Sequence, residues 1–337
     1  MERFVLEFQN GDLLENAGAK APTDISAILV NDGFHQVYVR TSGGNIIKQS
    51  CSLCLSLARL AFSAKRGSIL VFQYPIYSKK GFIAFQYARK LLKFKKVTIV
   101  CLIHDLLAAR FGTGMKEEVA ELNKNNFLIV HSPQMAALLK DSGCTVPTII
   151  LGLFDYLVGT ANSLPRHLSY EIVFAGNLSK SPFLNQLTGI TGKSPVRFRL
   201  YGRKDREMTG ETGLEYGGLF SPDDVSSLDG SWGLVWDGDS IDRLAGSAGE
   251  YQKLNSPHKA SLYLVAGLPL IVSSEAAIAK IVEEEKLGIT VKSLSDVPDC
   301  ISQMTEEDYQ SMLGNVRRFA TRLTSGQSIL SALKTLS

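Results

Sequence analysis

Residues 256–291, SPHKASLYLVAGLPLIVSSEAAIAKIVEEEKLGITV, decide the fold. Ser256 can accept hydrogen bonds from the free amides of a first helical turn and Pro257 suits the first helical position. A helix is therefore predicted to start here, with Lys259 in its first turn. Gly267 is a helix stop, and the apolar run 268–272 is short enough to be a fully buried parallel strand. Ser273, Ser274 and Glu275 then open a second helix through Ile278, Ile281 and Val282 to about Lys286, before Gly288 and a strand at 289–291. The order α-β-α-β is one half of a doubly wound sheet, whose ligands bind past the carboxyl ends of the strands. There the Lys259 ammonium, the first-turn amides and the positive end of the helix dipole would favour one bound anion, a nucleotide diphosphate. Taken singly, Lys259 is a solvated lysine and Ser273-Ser274 a helix cap; their order and spacing point further.

The same alternation extends in both directions. Upstream, 170–177 reads as a strand running into a turn at Gly176 and Asn177, and 196–201 repeats the theme before Gly202. Ser221 to Asp224 starts a capped helix, 232–237 is a strand, and the Gly-, Ser- and Asp-rich stretch 238–255 reads as a mobile loop over a cleft. In the first half, strands are predicted at 4–9, 35–39, 68–73, 97–104 and 127–131. Helices are predicted at 23–32, 50–64, 78–96, around 116–123 and at 132–142. Periodicity is lost at 155–167, and the end of the chain is helical with a break at Gly326. The fold class is α/β, with two doubly wound parallel-sheet units facing across a cleft. The predicted boundaries are 1–155, a linker at 156–168, 169–315 and a helical segment at 316–337.

A chain of 337 residues with 45% hydrophobic content can fill two cores. It holds no run of 18 apolar residues to cross a membrane as a helix, and the N-terminus has no signal-peptide pattern. The five cysteines are odd in number and scattered through apolar segments, which reads as reduced thiols of a cytoplasmic protein. Cys51 and Cys54 form a C-x-x-C inside an apolar helix with no second ligand pair beside it.

The net charge of +3 hides an asymmetry. Between Asp32 and Asp105 there is no acidic residue and there are 12 Lys or Arg, leaving 24 basic against 33 acidic residues elsewhere. Such a body attracts nucleic acid, an anionic bilayer or an anionic substrate. In 78–96, aromatic and aliphatic residues alternate with cations at helical spacing, a pattern that suits the plane of a membrane surface as well as a solvated helix with one buried stripe. No nucleic-acid reading motif is visible, so nucleic acid is not an expected partner.

Several segments carry a family resemblance: Asn16 to Ile25 (NAGAKAPTDI), VFQYP at 71–75, IHD at 103–105, FAGN at 174–177 and GLVWD at 233–237. The chain resembles the GT-B glycosyltransferases, in particular bacterial β-1,6-galactofuranosyltransferases and the glucosyltransferases that extend GlcNAc on serine-rich adhesins. That resemblance implies a UDP-sugar donor held by the C-terminal domain. Lys259 would hold the diphosphate, and Gly176, Asn177 and Tyr201 would face the donor. Ser256 and Pro257 would shape the pocket, Ala276, Ala277 and Ile278 would lie near the nucleotide, and Glu283 would take the ribose hydroxyls. Glu275 and Glu283 also stand eight apart, like the glutamate pair of many retaining GT-B enzymes, but the resemblance matches only the second of them, Glu283.

The N-terminal domain would bind a glycan or lipid-linked acceptor through a small-residue loop containing Asn16, Gly18 and Lys20, with Gln73; Asp237 of the C-terminal domain is also expected on the acceptor side. Inversion needs a general base, for which Asp105 is the first candidate and His104 its rival, while Lys259 stabilises departing UDP. The plainer reading of Asp105 is a helix N-cap. No Asp-x-Asp pair stands in a metal-binding context, so a metal-independent reaction without cofactor is expected. The implied function is hexosyl transfer, galactofuranosyl first and glucosyl as the alternative. A non-catalytic sugar-nucleotide-binding partner subunit is the competing class. A cytoplasmic protein, peripheral on the inner face of the membrane and compatible with a homo-oligomer, is the expected setting.

Overall fold

Short aliphatic runs become strands buried on both faces, and the segments between them become helices laid against those faces. The computed structural model describes residues 2–9, 17–40, 46–159, 165–204 and 212–336. The chain divides into two units. One comprises Met1–His131, Met135–Leu151 and Ile329–Ser337; the other comprises Ser132–Gln134 and Gly152–Ser328.

The first unit runs β1 (Arg3–Gln9), α1 (Ala17–Asn31), β2 (His35–Arg40), α2 (Ile46–Ser63), β3 (Ile69–Tyr74), α3 (Lys79–Phe94), β4 (Thr98–Ile103), α4 (Leu107–Phe111), α5 (Met115–Leu122), β5 (Phe127–Val130), α6 (Pro133–Asp141) and β6 (Thr148–Ile150). Its six strands are all parallel in the order β2-β1-β3-β4-β5-β6, with Val71 opposite Val5 on one side and Val100 on the other. Right-handed crossovers put α1 on one face and α2, α3 and α5 on the other. On that second face Lys95 Nζ donates to the carbonyls of Ala61, Phe62 and Ala64 at the end of α2. Arg89 of α3, buried, pairs with Glu121 of α5 at 2.6 Å.

The second unit runs β7 (Glu171–Ala175), α7 (Thr188–Thr191), β8 (Arg197–Tyr201), β9 (Leu214–Gly218), β10 (Trp232–Val235), α8 (Gly246–Gln252), α9 (His258–Val265), β11 (Leu270–Ser273), α10 (Ala279–Glu284), β12 (Gly288–Val291), α11 (Val297–Ser302) and α12 (Glu306–Thr324), and α13 (Gln327–Lys334) follows. Its parallel order is β12-β11-β10-β7-β8-β9, and Trp232, Trp236, Phe174 and Tyr263 are among its fully buried side chains. The helical end of the chain breaks at Gly326 (φ 76°), as expected, between α12 and α13; α12 belongs to the second unit, while the chain from Ile329 groups with the first.

In each sheet the strand order reverses once, between β1 and β3 in the first and between β7 and β10 in the second. Such a switch point opens a crevice at the carboxyl ends of its two strands.

Four expectations change. Residues 17–20, predicted as loop, are the first turn of α1, since Ala and Lys favour helix there. No helix starts at Ser221. The Ser221 hydroxyl and Asp224 carboxylate accept from the amides of Asp223 and Ser226, each two residues on, and these turns displace helix. The supposed mobile loop at 238–255 contains α8, with Leu244, Tyr251 and Gln252 buried. Finally α10 begins at Ala279 after turns through 274–278, because the Ser273 hydroxyl accepts from Glu275 N in a local turn.

Candidate active site

In the second unit, α9 brings Lys259 to the switch between β7 and β10. The helix starts at His258 with extended Pro257 as N-cap (φ −62°, ψ 131°), one position later than predicted; Ser256 lies outside the helix and is buried. At its far end Gly267, at φ 73°, closes a Schellman motif: Leu268 N donates to Tyr263 O at 2.8 Å and Gly267 N to Leu264 O at 3.0 Å.

Lys259 Nζ donates to Asp237 Oδ1 at 2.8 Å and to the Trp236 carbonyl at 3.4 Å, and lies 4.8 Å from the centre of the Phe174 ring. The ammonium is thus held past the end of β10 and over a side chain of β7. Asp237, expected on the acceptor side, belongs to this unit and is the Lys259 counterion. The pair keeps 17% and 29% side-chain exposure, so it contributes at most about 1 kcal/mol and is open to competition from a doubly charged diphosphate.

Two residues absent from the predicted site hold this arrangement. Tyr263, one turn after Lys259, accepts from Ala175 N at 2.7 Å, and its burial pushes the phenol well above its ordinary pKa. Gln252, fully buried, donates to the Val235 carbonyl at 2.9 Å while its side-chain oxygen accepts from Asp237 N at 2.7 Å. The Gln252 carbonyl also accepts from Ala277 N at 3.1 Å, which fixes the turn bearing Ala276, Ala277 and Ile278, all buried. A Cβ on Gly233 would overlap the Tyr263 ring and come within 2.6 Å of Tyr263 Cβ. That ring cannot retreat without breaking its bond to Ala175. Gly233→Ala is expected to lower stability by about 3 kcal/mol, measured by urea unfolding; a Gly233→Ala midpoint equal to wild type contradicts this packing.

Gly176 and Asn177 follow β7 as predicted, Asn177 exposed. The close backbone approach belongs to another glycine, however. A Cβ on Gly202 (φ 130°) would overlap the Gly176 carbonyl oxygen, whereas one on Gly176 would meet only the Phe174 ring at 3.9 Å. Tyr201, expected to face the donor, is instead buried beside Gly217 and Phe220, its hydroxyl accepting from Asp229 N at 3.3 Å. Glu283 is exposed and accepts from Thr290 Oγ1 at 2.7 Å, and Glu275 lies 3.4 Å from Lys253.

In the first unit, a second polar group gathers at the end of β3, beside the switch between β1 and β3. Gln73 Nε2 donates to the Pro22 carbonyl at 3.0 Å and Ser26 Oγ at 2.9 Å, both in α1, and Gln73 Oε1 meets His104 Nε2 at 2.7 Å. Asp105 receives Arg110 Nη1 on both carboxylate oxygens, at 2.9 and 2.8 Å, and the Tyr77 hydroxyl at 3.4 Å. It does not cap the next helix. Glu118 does so, accepting from Leu107 N at 2.9 Å and Ala108 N at 2.6 Å, and from the Tyr74 hydroxyl at 2.8 Å. Lys20 is ion-paired to Asp24 at 2.6 Å with 9% side-chain exposure, so its charge is already met inside the unit. Gly18 lies in the first turn of α1, and Asn16 is outside the described residues.

Over residues 4–153 the chain matches the family model of the glucosyltransferase 3-like N-terminal domain, and over 172–336 that of the C-terminal domain. It is 28% identical over 315 residues to the β-1,6-galactofuranosyltransferase WbbI of Escherichia coli K12, covering 92% of this chain and 91% of that one. It is 30% identical over 270 residues to glucosyltransferase 3 of Streptococcus gordonii, covering 77% and 76%. Its fold is similar to that of a glycosyltransferase from Rickettsia africae, with a TM-score of 0.61 at 8% identity over 99% of this chain and 97% of that one. Two parallel switch-point sheets and these relatives agree: the chain belongs to the glucosyltransferase 3-like family and is a glycosyltransferase of the GT-B fold.

Proposed function

We propose that the chain transfers a hexose, galactofuranose first, from a UDP-sugar to a hydroxyl of a cell-surface glycan or glycolipid, with inversion. The observation that carries this reading is Lys259, held at the β7–β10 switch with the start of α9 beside it. In the reaction the bond from the anomeric carbon to the UDP β-phosphate oxygen breaks, and its electron pair leaves with UDP. The acceptor oxygen bonds to the opposite face of that carbon, and its proton passes to the base. Lys259 and the α9 amides meet the charge of departing UDP, so no metal is required in this reading. Asn177 and the turn at Ala276, Ala277 and Ile278 line the donor, and Glu283 takes the ribose hydroxyls by exchanging Thr290 for the diol. Asp105, with His104 as rival, takes the acceptor proton.

Galactofuranose is placed first because the run NAGAKA at 16–21 resembles that branch and a relative 28% identical over 92% of this chain is named for that transfer; glucose follows from the relatives named glucosyltransferase 3. A cytoplasmic setting is supported by the free thiols Cys54, Cys101, Cys144 and Cys300. No described helix is long and apolar enough to cross a membrane.

The test is UDP release from a panel of UDP-sugars with and without a glycan acceptor. Acceptor-dependent release from UDP-galactofuranose is expected. Consumption of UDP-glucose alone moves the chain to glucosyl transfer, and tight UDP binding without turnover on any acceptor makes it a binding subunit.

A further inference from the structure

The helix α3 is apolar on two opposite faces, and only one of them is used by the fold. Gly81, Phe85, Ala88 and Leu92 are buried against the sheet. On the opposite side Ile83, Tyr87, Leu91 and Phe94 form a stripe at spacings of four, four and three residues, exposed by 47%, 69%, 41% and 85%. The neighbouring α2 repeats this arrangement, with Leu55 and Phe62 outward at 51% and 79% exposure while Leu53, Leu57 and Leu60 are buried. Lys95, bonded to the carbonyls of Ala61, Phe62 and Ala64, ties the two helix ends together. An outward row of large apolar side chains on adjacent helices exceeds the scattered exposure of an ordinary surface.

Cations border the stripe. Lys79, Lys80, Lys90 and Lys93 of α3 are exposed, and Lys90 Nζ lies 5.7 Å from the Tyr87 ring centre, an ammonium snorkelling past an aromatic. Arg89, the one cation of α3 that turns inward, is neutralised by Glu121. The sequence from 33 to 104 supplies no acidic side chain to oppose the rest.

We propose that this outward face of α3 and α2 docks on an anionic phospholipid bilayer, with the α3 axis in the membrane plane. Charge selects this occupant. Lipid phosphates meet the lysines while Phe94, Phe62, Tyr87 and Leu91 enter the headgroup and acyl boundary. A second copy joined through the same patch would set lysine against lysine, and a nucleic acid would leave the aliphatic row unused. The face begins at Ser78, four residues past Tyr74, so docking brings the Gln73, His104 and Asp105 group toward the bilayer surface. The inference stands apart from the choice of donor sugar.

The full chain is tested by co-sedimentation with vesicles of phosphatidylcholine alone or mixed with phosphatidylglycerol. At low salt, binding to the mixed vesicles at least about tenfold tighter than to phosphatidylcholine is expected, falling as salt rises. A further loss of about tenfold is expected in Tyr87→Ser/Phe94→Ser and in Lys79→Glu/Lys80→Glu/Lys90→Glu. The proposal is overturned if wild type stays in the supernatant with anionic vesicles at low salt, or if both variants sediment like wild type. A concentration-dependent dimer that the serine variant abolishes also overturns it. Phe94→Trp gives a readout independent of folding in those variants, because Trp232 and Trp236 are fully buried. Its emission should shift to the blue and be quenched by brominated lipid, and an unchanged spectrum counts against docking.

Discussion

Lys259→Met lowers kcat/KM for the UDP-sugar by about 10²–10³-fold and weakens UDP binding by at least about tenfold, with little change in folding stability. The size follows from what the ammonium does. Methionine keeps the apolar stem over Phe174 and the helix start, and removes only the charge 2.8 Å from Asp237. Because that pair is partly exposed, the orphaned carboxylate is met by water, and the folding cost stays within about 1 kcal/mol. Departing UDP loses its cation at the moment its charge develops. Asp237→Asn separates this role from a structural one. If Asp237 only holds the place of the diphosphate, freeing Lys259 leaves UDP affinity equal or a few-fold higher. A calorimetric titration in which Lys259→Met binds UDP like wild type sinks the phosphate role. If instead Asp237→Asn loses UDP affinity as heavily as Lys259→Met, the ion pair itself is the scaffold.

The segments that built this site were legible in different degrees, for physical reasons. Hydrophobic period and helix stops are local, so α9, β11 and β12 could be read from 256–291 to within a few residues, and Gly267 takes the left-handed conformation that a helix stop requires. Lys259 was legible because a first-turn position needs only a helix start. Its partner was not: Asp237 lies 22 residues away, and only the parallel pairing of β10 with β7 and β11 carries it to Lys259. The same holds for Gln252, whose stretch of small polar residues reads as loop until its side chain is seen closing the end of β10. Tyr201 fails in the opposite sense, since being at a strand's carboxyl end says nothing about which face its ring takes. For Asp105, the sequence allowed a cap or a base. The cap is supplied by Glu118, ten residues beyond Ala108, a choice no local pattern announces.

With the cap filled by Glu118, Asp105→Asn should reduce kcat by about 10²–10⁴-fold while leaving KM for the donor within a few-fold of wild type. Asparagine keeps the shape and can still meet Arg110 and Tyr77, but it cannot take the acceptor proton, and the groups assigned to the donor belong to the other unit. His104 is the rival base, and its ring is oriented by Gln73 at 2.7 Å. His104→Asn therefore provides the comparison. If Asp105 is the base, His104→Asn loses markedly less kcat, and its loss resembles that of Gln73→Leu, which removes the bond that orients the imidazole. The roles reverse if His104→Asn carries the larger fall. A purely positional Asp105 would raise the acceptor KM and spare kcat at saturating acceptor, so full kcat in Asp105→Asn under those conditions removes it from the chemistry.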